Sequence, residues 1–425
     1  MADLDPAPRT YPPAVTLMRR IGADDVPAAE PATVDEIERW LLTGALLESD
    51  LLVLFATLVG RLVAAGLPLD RMSLHAGTLH PEIYCFTWQW MRADGLTDEA
   101  RVDEASLQTP AYRRSALYRV IELGETVRAR TDDAAARATF PLLADLAAQG
   151  IVEYVALPLG GAGQYHNAAT VATAHPAGFS DAEFVALRRL LMVFALHVER
   201  HIVLRIASNV ADTYLGRAAG GRVLAGSIKR GSGQAIRAVI WMSDLRGFTG
   251  LTDRLAGPAV TMVLNAYFEA LAGAVLAHGG EVLKFIGDGV LAAFPIAAGE
   301  GGEARAAAAA LAAARRALAD LATLNATPPE DLAAIDGWRP LATGIALHLG
   351  EVFFGNVGAP DRLDFTVIGR AVNEAARVEA LCKELGRPVL ITAPVADLLD
   401  TPLDHLGEHP LRGVSAPVSI YGPAG

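Results

Sequence analysis

Cysteine is nearly absent. Two in 425 residues, Cys85 and Cys382, make no disulfide framework, and reduced thiols in a cytoplasmic protein are expected instead. Positive charge is also scarce: 36 Lys and Arg against 48 Asp and Glu leave a net charge of −12, so nucleic acid is not an expected partner. An acidic chain can still hold a local basic site for a nucleotide. No uninterrupted apolar run is long enough for a bilayer. The most apolar stretch, 51–69, is broken by Arg61 and preceded by Glu48 and Asp50, so a buried helix is expected there and no membrane partner. The opening MADLDPAPRTYPP lacks the apolar core of a secretory signal, and residues 1–30 read as a mostly disordered tail.

What is present is the composition of a soluble globular protein, 52% apolar and 20% charged, with length for two domains, and its strand and helix patterns read as α+β. In the first, residues 31–180, Thr33 followed by Glu36 marks a helix start. Strand-like runs follow at 71–79, 82–91, 116–123, 152–158 and 168–174, with a helix at 133–149. An antiparallel sheet with flanking helices resembles a GAF-type sensor domain. That resemblance implies a small-molecule ligand, or none and a role in dimerisation; the scattered His75, His80, His166 and His175 identify no ligand.

Ser180 opens a long helix, the start of a helical, coiled-coil linker and transducer at 181–232. Phe184, Leu187, Leu191, Phe194 and Val198 alternate at spacings of three and four, the seam of a coiled coil or of a helix packed on its own domain. His197 and His201 stand four apart, but no third metal ligand accompanies them. A short strand is expected at 223–228.

The chemistry concentrates after residue 233. Ala238–Trp241 reads as a buried strand, Asp244 stands near its end, and Gly247-Phe248-Thr249 turns into an amphipathic helix. An Asp there is often only a helix cap. A carboxylate beside a helix start can also hold a hard cation, and the free N–H groups of Phe248 and Thr249 can hold phosphate. Downstream, strands 281–286 and 290–294 flank Gly287-Asp288-Gly289. Asp-Gly forms hairpins unaided, yet a hairpin lying beside the first strand would bring Asp288 to Asp244. Two convergent carboxylates plus substrate phosphates make a two-metal site. Thr366–Gly369 leads into a helix on which Asn373 and Arg377 share a face. Between these, 341–347 and 352–357 read as a second hairpin turning at His348–Glu351.

The segments SDLRGFT, KFIGDG, GIALHLGEVFFGNVG and TVIGRAVNEAARVE, in this order, resemble the catalytic domain of the class III nucleotidyl cyclases over roughly 234–423. The resemblance implies a ferredoxin-like α/β domain at 233–425. It implies an enzyme making 3′,5′-cyclic AMP and pyrophosphate from ATP by attack of the ribose 3′-hydroxyl on the α-phosphorus. It implies two Mg²⁺ or Mn²⁺ ions held by Asp244, Asp288 and the carbonyl of Leu245. Lys284, with Thr366, matches the purine-selecting pair of adenylate cyclases, Asn373 and Arg377 the transition-state pair, and Arg412 a phosphate contact more often lysine. It implies a homodimer with shared sites, the two aspartates from one chain and the other residues from its partner. A guanylate or mixed-purine cyclase and a non-catalytic nucleotide-binding module are the alternatives.

Overall fold

The computed structural model describes residues 4–80, 83–104, 106, 109–160, 167–414 and 416–424; His166 therefore lies outside the described residues. The chain divides into two units, Met1–Val210 and Ala211–Gly425.

The first unit is built on a seven-stranded antiparallel sheet: β1 (Val15–Ile21), β2 (Arg71–Gly77), β3 (Ile83–Met91), β4 (Thr97–Asp103), β5 (Val127–Arg130), β6 (Glu153–Leu159) and β7 (Asn167–Thr173), in the order β1-β4-β3-β2-β7-β6-β5. Met72, Leu74 and Ala76 alternate onto one face and pack with the helices Val34–Leu42, Leu51–Ala64 and Asp181–Leu215. The opposite face meets the helices Ala116–Leu123 and Leu142–Ala148. Leu51–Ala64 is the buried helix expected from its composition.

Three expectations for this unit need correction. The 1–30 segment is not a free tail, because β1 pairs with β4 and Arg9 donates to Asp94 and Asp98 at 2.8 and 3.0 Å. The polar pattern of β4, TDEARVD, concealed it as well: buried Asp98 and Glu99 are neutralised by Arg9, Arg19, Arg20 and Arg205. Residues 116–123 form a helix rather than a strand, capped by the Ser115 hydroxyl and ended by Gly124 in the left-handed region (φ 67°).

The third correction concerns the long helix Asp181–Leu215, which starts at a Ser180–Glu183 capping box. The expected coiled-coil seam faces inward: Leu187, Leu191, Phe194 and Val198 are buried in the core, with Phe184 packed against it. A different apolar row, Val185, Met192, Leu196 and Val203, is exposed. His197 bonds the Leu41 carbonyl at 2.7 Å and is structural.

In the second unit the residues expected as a strand at 223–228 belong instead to the helix Arg217–Leu224 and the turn after it. An eight-stranded sheet follows: β8 (Gly233–Leu245), β9 (Glu281–Ile286), β10 (Gly289–Pro295), β11 (Thr343–Ala359), β12 (Arg362–Ile368), β13 (Val389–Thr392), β14 (Leu403–His409) and β15 (Val418–Pro423). Its path is β14-β15-β13-β11-β8-β10-β9, with β12 on β11. Helix Gly257–Ala277 joins β8 to β9, and helix Gly302–Ala326 joins β10 to β11. With spatial order β11-β8-β10-β9 this is the βαββαβ pattern of a ferredoxin-like fold. Gly257–Ala277 is long and apolar enough to cross a membrane, yet Val263, Tyr267, Leu271, Ala274 and Val275 pack it into the core.

The second hairpin expected around His348–Glu351 is absent. β11 is one strand of 17 residues, and His348 and Glu351 stay in register opposite Ile240 and Arg237. Gly350 makes no turn; a Cβ there would overlap Ala371, so the glycine admits the helix Arg370–Glu384. His348 is buried, bonded to Thr392 at 3.0 Å and paired with Glu374 at 3.1 Å.

Candidate active site

Asp244 stands one residue before the end of β8, and the β9–β10 hairpin lies against that strand, with Val290 opposite Ser243. Asp288, at the hairpin turn, is thereby brought to Asp244. The approach is close enough that a Cβ on Gly289 would come within 2.9 Å of the Ser243 carbonyl and 3.4 Å of an Asp244 carboxylate oxygen. The two carboxyl groups are near enough for the charge of Asp244 to act on Asp288. Burial pushes both above the ordinary carboxylate range, and Asp288 is raised further by the Asp244 charge. Asp244 is thus no mere cap.

The backbone of Asp244 is held from behind. Tyr267 and Thr343 share a hydrogen bond of 2.8 Å, and the Thr343 hydroxyl donates to the Asp244 carbonyl at 3.1 Å. Opposite Asp244 in the β8–β11 ladder is Gly344, and the space a side chain would occupy is filled by Arg246 and Glu379. Arg246 Nη2 lies 3.0 Å from Glu379 Oε1, but both atoms lack hydrogen-bond alignment, so the contact is one of charge alone. Burial, reinforced by Asp244 and Asp288, outweighs it and holds the Glu379 carboxyl up at about 7.

The other expected residues lie on β9, β12, the helix Arg370–Glu384 and the turn at Arg412. Asp364 and Thr366 alternate onto one face of β12, while Phe365 and Val367 are buried on the other. Lys284 on β9 donates to Asp364. Asn373 and Arg377 lie one turn apart on the helix Arg370–Glu384, without hydrogen bond or ion pair among the described residues. A Cβ on Gly413 would stand 3.6 Å from the Arg377 guanidinium, so the turn carrying exposed Arg412 is beside it. No hydrogen bond or ion pair among the described residues joins Lys284, Thr366, Asn373 or Arg377 to either aspartate.

Leu245 closes β8 with its side chain buried, and Phe248 and Thr249 begin the five-residue helix that follows. Among the described residues no three His, Cys, Asp or Glu side chains cluster for a metal. The donor set is two carboxylates whose mutual repulsion a cation would relieve, a fit for a hard divalent ion completed by substrate and water oxygens. Asp364, Arg246, Glu379, Thr343 and Tyr267 were missed from the sequence. Only the spacing of Asp364, two before Thr366 and so on its face of a strand, offered a signal.

Residues 234–421 match the Adenylate and Guanylate cyclase catalytic domain. An adenylate cyclase of Anabaena cylindrica is 31% identical over 176 residues, covering 41% of this chain and 33% of that protein. Adenylate cyclase 1 of Rhizobium meliloti is 32% identical over 187 residues, covering 43% of this chain and 27% of its own length. The chain thus spans a third or less of these relatives. Among solved structures, the adenylyl cyclase CyaB from P. aeruginosa is 28% identical, covering 46% of this chain and 96% of that one, with a TM-score of 0.38. Residues 234–421, a little under half of this chain, are thus similar to the catalytic domains of adenylate and guanylate cyclases.

Proposed function

We propose that this protein converts ATP to 3′,5′-cyclic AMP and pyrophosphate. The observation that carries the reading is the convergence of Asp244 and Asp288 into one half-buried, mutually repelling pair. Mg²⁺ or Mn²⁺ held there, with the Leu245 carbonyl, would lower the pKa of the ribose 3′-hydroxyl and neutralise the triphosphate. The 3′-oxygen, its proton passed to solvent, bonds to the α-phosphorus as the bond to pyrophosphate breaks.

The chain's own residues supply the positioning. Arg377, a half-buried guanidinium with no partner among the described residues, has donors free for charge growing on the α-phosphate. Asn373 orients the ribose, Arg412 meets the terminal phosphates, and the Phe248 and Thr249 amides face the phosphate side. Lys284 donates to adenine N1, an acceptor, with Thr366 beside it; guanine presents a donor at N1 and leaves the ammonium unmatched.

We further propose a homodimer with shared sites. Lys284 and Thr366 sit among the exposed apolar residues Phe285, Ile286, Phe353 and Ile368, a surface suited to a second copy. The first unit, a GAF-like candidate, regulates the second, and both thiols are buried and free, as fits a cytoplasmic setting. Purified protein incubated with ATP or GTP, each with Mg²⁺ or Mn²⁺, tests the reaction. Cyclic AMP from ATP, lost in Asp244→Asn, is the expected result. Cyclic GMP as the main product would refute the purine assignment.

A further inference from the structure

The sheet of the first unit holds a largely buried arginine that has no counter-charge among the described residues. β2 alternates, so Arg71, Ser73 and His75 share the face opposite to the Met72-Leu74-Ala76 core. Beside them stand Gln89 of β3, Thr170 of β7 and Tyr154 of β6, placed by the registers Ser73↔Gln89, Ser73↔Thr170 and Tyr154↔Ala172. Arg71 Nη2 donates to the Gln89 amide oxygen at 3.0 Å. Its Nε–H is sealed from water and has no acceptor. No ion pair involves Arg71 among the described residues, because the nearby carboxylates are engaged. Asp98, opposite Gln89, takes Arg9, Arg20 and Tyr11; Asp94 takes Arg9; Asp70 pairs with Arg92.

The neighbours are neutral hydrogen-bonding groups. Ser73 bonds the His75 Nε2 at 3.0 Å and Thr170 at 2.6 Å. Burial, reinforced by the Arg71 charge, pushes the His75 imidazole down to about 4, so at neutral pH it adds no second positive charge. Arg71 and His75 are largely buried on this face but keep some accessible surface. A guanidinium does not shed its proton to escape burial. An unpaired buried charge is costly, and the natural remedy is an anion from outside.

We propose that this cluster on the sheet face binds a small organic monocarboxylate, its carboxylate on the Arg71 guanidinium and its remaining polar atoms against Ser73, His75 and Thr170. One fixed positive charge among neutral groups matches a monoanion better than a phosphate dianion, and the planar fork suits a carboxylate. This binding does not depend on the cyclase chemistry.

Thermal unfolding of the full chain tests this with acetate and pyruvate as probes, against chloride and inorganic phosphate at matched ionic strength. The wild type should gain several degrees, saturably, with at least one of the two acids and not with chloride or phosphate. Arg71→Met should lose that gain, while its midpoint without ligand is maintained or rises because an uncompensated charge is gone. Equal gains in wild type and variant, a phosphate-selective gain, or no response of the wild type to either acid would overturn the proposal. Should Arg71→Met not fold, Arg71→Lys keeps the charge and loses the fork; its response should need more acid, and an unchanged response also overturns the assignment.

Discussion

Asp288 illustrates what one residue contributes and costs. Its carboxyl and that of Asp244 titrate above the ordinary range, so the folded protein holds more protons than the unfolded chain between the ordinary and the raised values. Stability therefore falls as pH rises through that window. Asp288→Asn removes the repulsion. We expect a thermal midpoint a few degrees above wild type in chelator, with cyclic nucleotide formation abolished and metal no longer stabilising; a variant as active as wild type would contradict the site. Glu379 obeys the same sign over a wider range, from its ordinary value to about 7. Glu379→Gln should flatten the loss of stability between acid and neutral pH, read from denaturant midpoints at several pH values. The two aspartates were legible because Asp-Gly and strand-end signals are local. Glu379 was not, because its neighbours Arg246, Asp244 and Asp288 are far from it in sequence and near only once β8, β11 and the Arg370–Glu384 helix pack.

At the scale of elements, the long helix shows why periodicity alone leaves two answers. Spacings of three and four describe any apolar helical stripe, whether it meets another helix or a sheet. Here Leu187, Leu191, Phe194 and Val198 meet the sheet, and Val185, Met192, Leu196 and Val203 lie outside. Leu191→Ala should destabilise the first unit by about 2–5 kcal/mol, the usual range for a buried leucine truncation. Leu196→Ala should change its stability little, and equal losses in the two variants would show that the faces are misassigned. β11 teaches a similar lesson. Gly350 looked like a turn residue and is a clearance for Ala371, a distinction decided by a helix that follows in the chain.

At the scale of the whole molecule, no hydrogen bond or ion pair among the described residues ties Lys284, Thr366, Asn373 or Arg377 to the two aspartates of the same chain. Shared sites predict complementation. Asp288→Asn and Arg377→Ala, each inactive alone, should regain activity on mixing, because a heterodimer has one intact site. Random pairing gives half heterodimers, hence about a quarter of wild-type activity. No recovery after exchange of subunits, with dimers present by sedimentation, would place each site within a single chain.

The sequence by itself determined the likeness of residues 234–421 to cyclase catalytic domains and the strand end and hairpin turn that carry Asp244 and Asp288, because these rest on short segments whose turns and strands act locally. It also determined that Leu51–Ala64 would be buried. Tertiary structure alone decided that the chain near its start would complete a sheet and which face of the long helix would turn inward. It also decided that Glu379 would lie near Asp244 and Asp288 and that Arg71 would be largely buried with no counter-charge among the described residues. Burial and electrostatics depend on what surrounds a group in space, and residues distant along the chain supply those surroundings only after it folds.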